Sequence, residues 1–165
     1  MGWEHFTGKP VLQGSEITGC WAACMSWWLA KVRKISWTMK DVANLYNKYA
    51  SVPSSGCTIG GLSDLGVKTM FEDNRWSIWQ TWKHRQDVTL RMVDSYLESS
   101  PTFISYYDPV LKGAHMNVVV CRSTGDDPVL YVMDPDYPEY QMRKLRYYTE
   151  KSQTIVLASA IQWRD

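Results

Sequence analysis

The sequence is poor in the features that would place it in several large classes. No run approaches the about eighteen consecutive apolar residues of a membrane span, so a soluble chain without membrane contact is expected. An excess of one charge is missing too. Eighteen Lys and Arg against seventeen Asp and Glu leave a formal charge of +1, which creates no field to attract nucleic acid or anionic lipid. Nucleic acid is therefore not an expected partner. The four cysteines, at positions 20, 24, 57 and 121, are too few and too irregular to staple a disulfide-built domain. They also lack the paired spacing of a zinc site, so neither metal nor cofactor is expected. The first ten residues, Met1 to Pro10, carry neither the basic start nor the apolar segment of a secretory signal. A reducing compartment is the expected place of action.

What is present describes one ordinary globular domain. At 165 residues the chain can bury a single sizeable core, and 45% apolar with 21% charged residues excludes disorder. We expect one domain over residues 1–165, with a helical half over about 13–100 and a sheet half over about 101–165. Nine Trp and ten Tyr suit a core or a stacking surface for sugars or peptides.

The helical half opens at Cys20. Trp21, Met25, Trp28, Leu29 and Val32 follow at spacings of three and four, predicting a helix to about Lys34 with one buried face. Thr38 and Asp41 read as a capping box that starts a second helix through Val42, Leu45, Tyr46 and Tyr49. After a loop over 51–61, Leu62 to Phe71 suits a short helix, Trp76 to Trp82 alternates like a strand, and Thr89 to Leu97 is helical before Pro101. Five strand-like runs follow: Thr102 to Tyr107, His115 to Cys121, Val129 to Asp134, Tyr140 to Tyr147 and Thr154 to Trp163. Turn residues between them predict an antiparallel sheet. Helices first and strands second is the order of an α+β domain.

A cysteine attacks a carbonyl as thiolate, whereas a free thiol with a pKa of about 8.5 is mostly protonated at neutral pH. Cys20 stands at the first turn of a predicted helix, where unpaired N–H groups and the helix dipole favour negative charge. A neighbouring imidazolium would add to that effect and later protonate the leaving group. Three histidines are available. His5 lies in the N-terminal segment and His84 in a polar run. His115 begins the apolar strand ending at Cys121, so its ring can stand at a sheet end facing a cleft, although a histidine on a strand also reads as a core residue. Asp134 ends the next strand. Antiparallel pairing brings the end of one strand beside the start of the other, which places Asp134 next to His115 as its orienting carboxylate. Asp134-Pro135-Asp136 also reads as a simple turn opened by Asp. Gln13, seven residues before Cys20, has a side-chain amide that can fold back beside the Cys20 N–H to receive an oxyanion. Trp21 is a candidate substrate-binding residue. Cys24 and Cys121 read as small core residues. Cys57 is the rival nucleophile, but it has neither the upstream Gln nor the following Trp.

Gln13-Gly14-Ser15 followed by Gly19-Cys20-Trp21-Ala22 resembles the active-site segment of papain-family cysteine proteases, Q-G-S-C-G-S-C-W-A. Ala114-His115 entering a valine-rich strand, and Asp134-Pro135 ending the next, are similar to bacterial papain-like peptidases, among them bacteriocin-exporter peptidase domains and secreted effector proteases. The order Gln, Cys, His, Asp is the family's. This resemblance implies a papain-like fold and a cysteine endopeptidase acting on a protein substrate through Cys20, His115, Asp134 and Gln13. It also implies an effector or toxin domain, excised from a larger protein, delivered to a target cell by a specialised secretion route and restrained at home by an inhibitor or immunity protein. The loop from Gln13 to Cys20 is one residue longer than in papain, Ile17 stands where papain has a disulfide cysteine, and Asp134 replaces an Asn. The same triad would serve a deamidase or transglutaminase-like enzyme. A non-enzymatic domain binding glycans or a partner through its aromatics is the third reading.

Overall fold

The computed structural model describes residues 8–73 and 76–163; His5 lies outside them. The chain is α+β. Five α-helices, α1 (Cys20–Trp28), α2 (Met39–Tyr46), α3 (Asp64–Asp73), α4 (Leu90–Leu97) and α5 (Arg146–Lys151), accompany six strands among the described residues. The strands are β1 (Trp76–His84), β2 (Thr102–Asp108), β3 (Gly113–Arg122), β4 (Leu130–Met133), β5 (Gln141–Arg143) and β6 (Thr154–Trp163). They form one sheet in the order β1-β6-β2-β3-β4-β5, and every neighbouring pair is antiparallel. No helix among the described residues is long and apolar enough to cross a membrane.

Alternation along the strands supplies the sheet with two buried faces. Phe103, Met116, Val118, Val120, Met133 and Ala158 pack with α1 and α2. Ile104, Tyr106, Val119, Val132, Ile155 and Leu157 pack with Val93 and Tyr96 of α4 and Tyr148 of α5. The predicted first helix differs from expectation. All nine residues of α1 are buried, so it has no solvent face, and it gives way to a π-turn over Leu29–Arg33 that ends on Lys34 with φ 60°. The cause is its position between the sheet and α2, with Trp21, Trp27 and Trp28 all in the core. Each such ring takes about 150–250 Å² out of water, worth roughly 25 cal/mol per Å², which fixes α1 firmly against β3.

The capping box of α2 is present: Asp41 N–H donates to Thr38 Oγ1 at 3.1 Å, and Thr38 N–H donates to Asp41 Oδ2 at 2.9 Å. The strand expected over Trp76 to Trp82 forms β1, which pairs along its length with β6. One expectation needs correction. The run from Tyr140 to Tyr147 holds only the three-residue β5 and then turns into α5. Mixed aromatic and charged residues there fit a period of two or of 3.6 equally, and burial of Tyr148 against Tyr106 (ring centroids 4.9 Å apart) favours the helix.

Candidate active site

The N-terminus of α1 meets the sheet at the start of β3. Gly19 caps the helix without a side-chain partner, so Cys20, the first helical residue and 9% exposed, sits where backbone N–H groups are unpaired. The register of β3 and β4 places Val118 opposite Met133, which brings Asp134, just past the end of β4, into the neighbourhood of His115. His115 Nε2 lies 2.9 Å from Asp134 Oδ1. The Cys20 side chain borders the same cleft and acts on this imidazole, raising its pKa. With Nε2 on Asp134, Nδ1 is the ring nitrogen left for the sulphur.

Burial disfavours a charged imidazole, but hydrogen bonds to Asp134 and Cys20 outweigh it and push the His115 pKa up to about 10. Burial likewise opposes charge on Asp134, yet the bond from His115, the Asp136 N–H and the charge of Arg143 hold its carboxyl below the usual range. The stable arrangement at neutral pH is thus imidazolium against carboxylate, beside a sulphur at a helix start.

Gln13 is 6% exposed, and its amide oxygen has no hydrogen-bond partner. Its side chain lines the same cleft as Cys20 and His115. The cleft has a volume of about 1030 Å³ and two walls. One is the 51–63 loop, pinned from below: Glu16 accepts from Thr58 N–H, Thr58 Oγ1 and Ile59 N–H, and Trp21 Nε1–H donates to Gly60 O at 2.8 Å. The other is the 109–114 turn, with Val110 81% and Leu111 51% exposed.

Of the four residues singled out for chemistry in the sequence, Gln13, Cys20 and His115 line the cleft, and Asp134 is buried against His115. Trp21 is among the cleft-lining residues; it is 1% exposed, and its indole N–H is spent on Gly60, so it supports the wall from beneath. Cys24, fully buried, donates to Met116 O at 3.3 Å, and burial pushes its thiol well up. Cys57 points back to Ser15 O, and exposed His84 is not among the cleft-lining residues.

Sequence reasoning missed a polar cluster behind His115 and Asp134. Arg143 Nη2 lies 2.7 Å from Asp134 Oδ2, while Arg143 Nη1 and Tyr148 Oη donate to Asn117 Oδ1 at 2.7 and 3.0 Å. Asp136 Oδ2 approaches His115 Nε2 to 3.5 Å. The available signal was Asn117, a single amide inside the otherwise apolar run from Met116 to Cys121, since a buried amide requires partners. His115, Asp134 and Asp136 can each turn one donor atom toward a common point, within 4.8 Å of one another. A cation there would compete with the imidazolium and with Arg143 for the same carboxylate oxygens. No family model matches the chain, and no curated protein matches it.

Proposed function

We propose that this protein is a papain-like cysteine endopeptidase that hydrolyses peptide bonds of a protein target. The observation that carries this reading is His115 held between Cys20 and the buried carboxylate of Asp134. The α+β arrangement, with a buried helix starting at Cys20 and packed on an antiparallel sheet carrying His115, supports a papain-like fold.

In this reading the Cys20 thiolate adds to the substrate carbonyl carbon, and the resulting oxyanion accepts from the Cys20 N–H and the Gln13 side-chain amide. His115 gives its Nδ1 proton to the amine as the C–N bond breaks, leaving a thioester on Cys20. The now neutral His115 takes a proton from water, whose oxygen attacks the thioester and expels the Cys20 sulphur. Asp134 holds the ring through Nε2 during both steps. The substrate is an extended polypeptide segment lying between the 51–63 wall and the 109–114 turn.

Incubation of candidate protein targets with wild type and with Cys20→Ala, read by intact-mass spectrometry, tests the proposal. New fragments made by wild type alone are expected. A mass gain of about one unit on an unbroken chain would instead mark hydrolysis of a glutamine side-chain amide by the same machinery, and equal spectra for both proteins would reject the enzyme. The effector reading adds that wild type, but not Cys20→Ala, arrests bacteria that express it without an inhibitor protein.

A further inference from the structure

We infer that Arg143 is a positioning residue of this site: it keeps Asp134 ionised and aimed at His115, so that the imidazole stays protonated beside Cys20. The inference rests on the proposed Cys20–His115–Asp134 chemistry and extends it to a residue that touches neither substrate nor nucleophile.

Asp134 is 1% exposed and divides its two oxygens. Oδ1 receives His115 Nε2 at 2.9 Å and the Asp136 N–H at 3.0 Å, and Oδ2 receives Arg143 Nη2 at 2.7 Å. A second carboxylate, Asp136, stands 3.5 Å from the same Nε2. Two acids so close tend to keep one proton between them. A protonated Asp134 would be a poor acceptor for the imidazolium.

The remaining groups around His115 offer little to prevent that. Tyr106 of β2 meets the ring edge-on at 5.9 Å, and Asp108 of β2 is neutralised by Lys151 of α5. Tyr147 and Tyr148 of α5 pack on Tyr106, and burial pushes the Tyr148 hydroxyl up. With Cys20 as thiolate, three negative groups, Cys20, Asp134 and Asp136, face His115 and Arg143 as the two cations. Arg143 alone has a fixed charge.

Its orientation is also fixed. Arg143 ends the edge strand β5 at 7% exposure. Its second arm donates to Asn117 Oδ1, and its guanidinium carbon lies 4.2 Å from the centre of the Tyr147 ring. Asn117 is in turn held by Tyr148 Oη and by donation to Met116 O. A planar fork that grips a carboxylate with one arm and an amide with the other sets direction as well as charge. Buried ion pairs contribute little net stability, so the main consequence of this one lies in the state of Asp134.

The test compares wild type with Arg143→Gln and Arg143→Lys by NMR titration of the His115 ring and by the pH profile of Cys20 alkylation with iodoacetamide, neither of which needs a substrate. In Arg143→Gln the His115 midpoint is expected to fall by about one pH unit or more. Cys20 alkylation at neutral pH should slow about tenfold, and Arg143→Lys should recover most of both. Carbon-13 titration of the Asp134 carboxyl in wild type covers the case in which Arg143→Gln does not fold: ionisation below the ordinary aspartate range of about 3.9 is expected. Unchanged His115 and Cys20 profiles in Arg143→Gln, or an Asp134 midpoint at or above that range in wild type, would overturn the inference. A wild-type Cys20 no more reactive than Cys57 would instead refute the catalytic reading on which it rests.

Discussion

The backbone N–H of Gln13 donates to the carbonyl of Pro135 at 2.9 Å. This one bond fastens the segment leading into Cys20 to the segment that carries Asp134, so the two ends of the site are registered through main chain. The Gln13 side chain is left free to act in the cleft. Gln13→Ala is accordingly expected to lower kcat by about 10²–10³ with a melting temperature within a few degrees of wild type, measured by steady-state kinetics and circular dichroism. A kcat within about twofold of wild type would remove the amide from the oxyanion site.

Cysteine reactivity is expected to run against exposure. Cys57 is more accessible than Cys20, yet among the described residues Cys20 is the cysteine whose side chain acts on the His115 imidazole. At neutral pH, iodoacetamide is expected to modify Cys20 at least about tenfold faster than Cys57, with Cys24 unreactive because it is 0% exposed. Peptide mapping after short exposures ranks the four sites. In His115→Ala the preference for Cys20 is expected to vanish; its persistence would mean that the helix start alone activates the sulphur.

The residues that do local work were readable in the chain. Thr38 and Asp41 form their capping box because both partners lie within one turn, and His115 meets Asp134 because adjacent antiparallel strands constrain each other's ends. What was not readable depends on the third dimension. Nothing near Trp21 in the sequence says that its indole N–H will meet Gly60, 39 residues away. The spacing of apolar residues in α1 cannot tell one buried face from burial all round, and that distinction arises only when β3 and α2 close on the helix. Arg143 was hidden for the same reason, since a lone arginine on a short edge strand reads as a solvated residue until Asn117 and Asp134 converge on it.

Stability should carry the signature of the ion pair in its pH dependence. His115 titrates near 6.5 when unfolded and at about 10 when folded. Between these values the native state holds a proton that the unfolded chain has lost, so its contribution is complete below pH 6.5 and disappears as pH rises through about 10. Asp134, with a lowered folded value, contributes above its ordinary range of about 3.9 and loses that contribution as pH falls below it. The pair is therefore worth most between roughly pH 4 and 6.5, and the melting temperature is expected to drop by about 5 °C or more from pH 6.5 to 10. Cys20→Ala removes one hydrogen bond and one charge that hold His115 up, so its decline should begin at lower pH. Melting curves across the range decide the matter: a flat profile for wild type, or one identical in Cys20→Ala, would contradict the assigned pairings.

The wall opposite the 109–114 turn depends on a glycine. A Cβ on Gly60 would fall 1.7 Å from Ser51 O and 2.7 Å from Ser51 C, both backbone atoms. The loop is closed just beside that point by Ser51 N–H donating to Gly61 O at 2.8 Å. Gly60→Ala must therefore push the two backbone segments apart, and with them the carbonyl that accepts from Trp21. Losing that acceptor leaves a buried indole N–H unpaired, which costs about 1–3 kcal/mol, and the steric displacement adds to it. Glu16→Ala loosens the same wall more gently, because Thr58 and Ile59 keep their main-chain path and lose only their shared carboxylate. We expect Glu16→Ala to raise KM several-fold with kcat nearly intact, since the wall shapes the cleft while Cys20 and His115 stay in place. Gly60→Ala is expected to lower the melting temperature by about 5–10 °C and to expose residues 51–63 to limited proteolysis. A Gly60→Ala protein that melts and resists protease like wild type would show that this wall is not held by the close approach of Gly60 to Ser51.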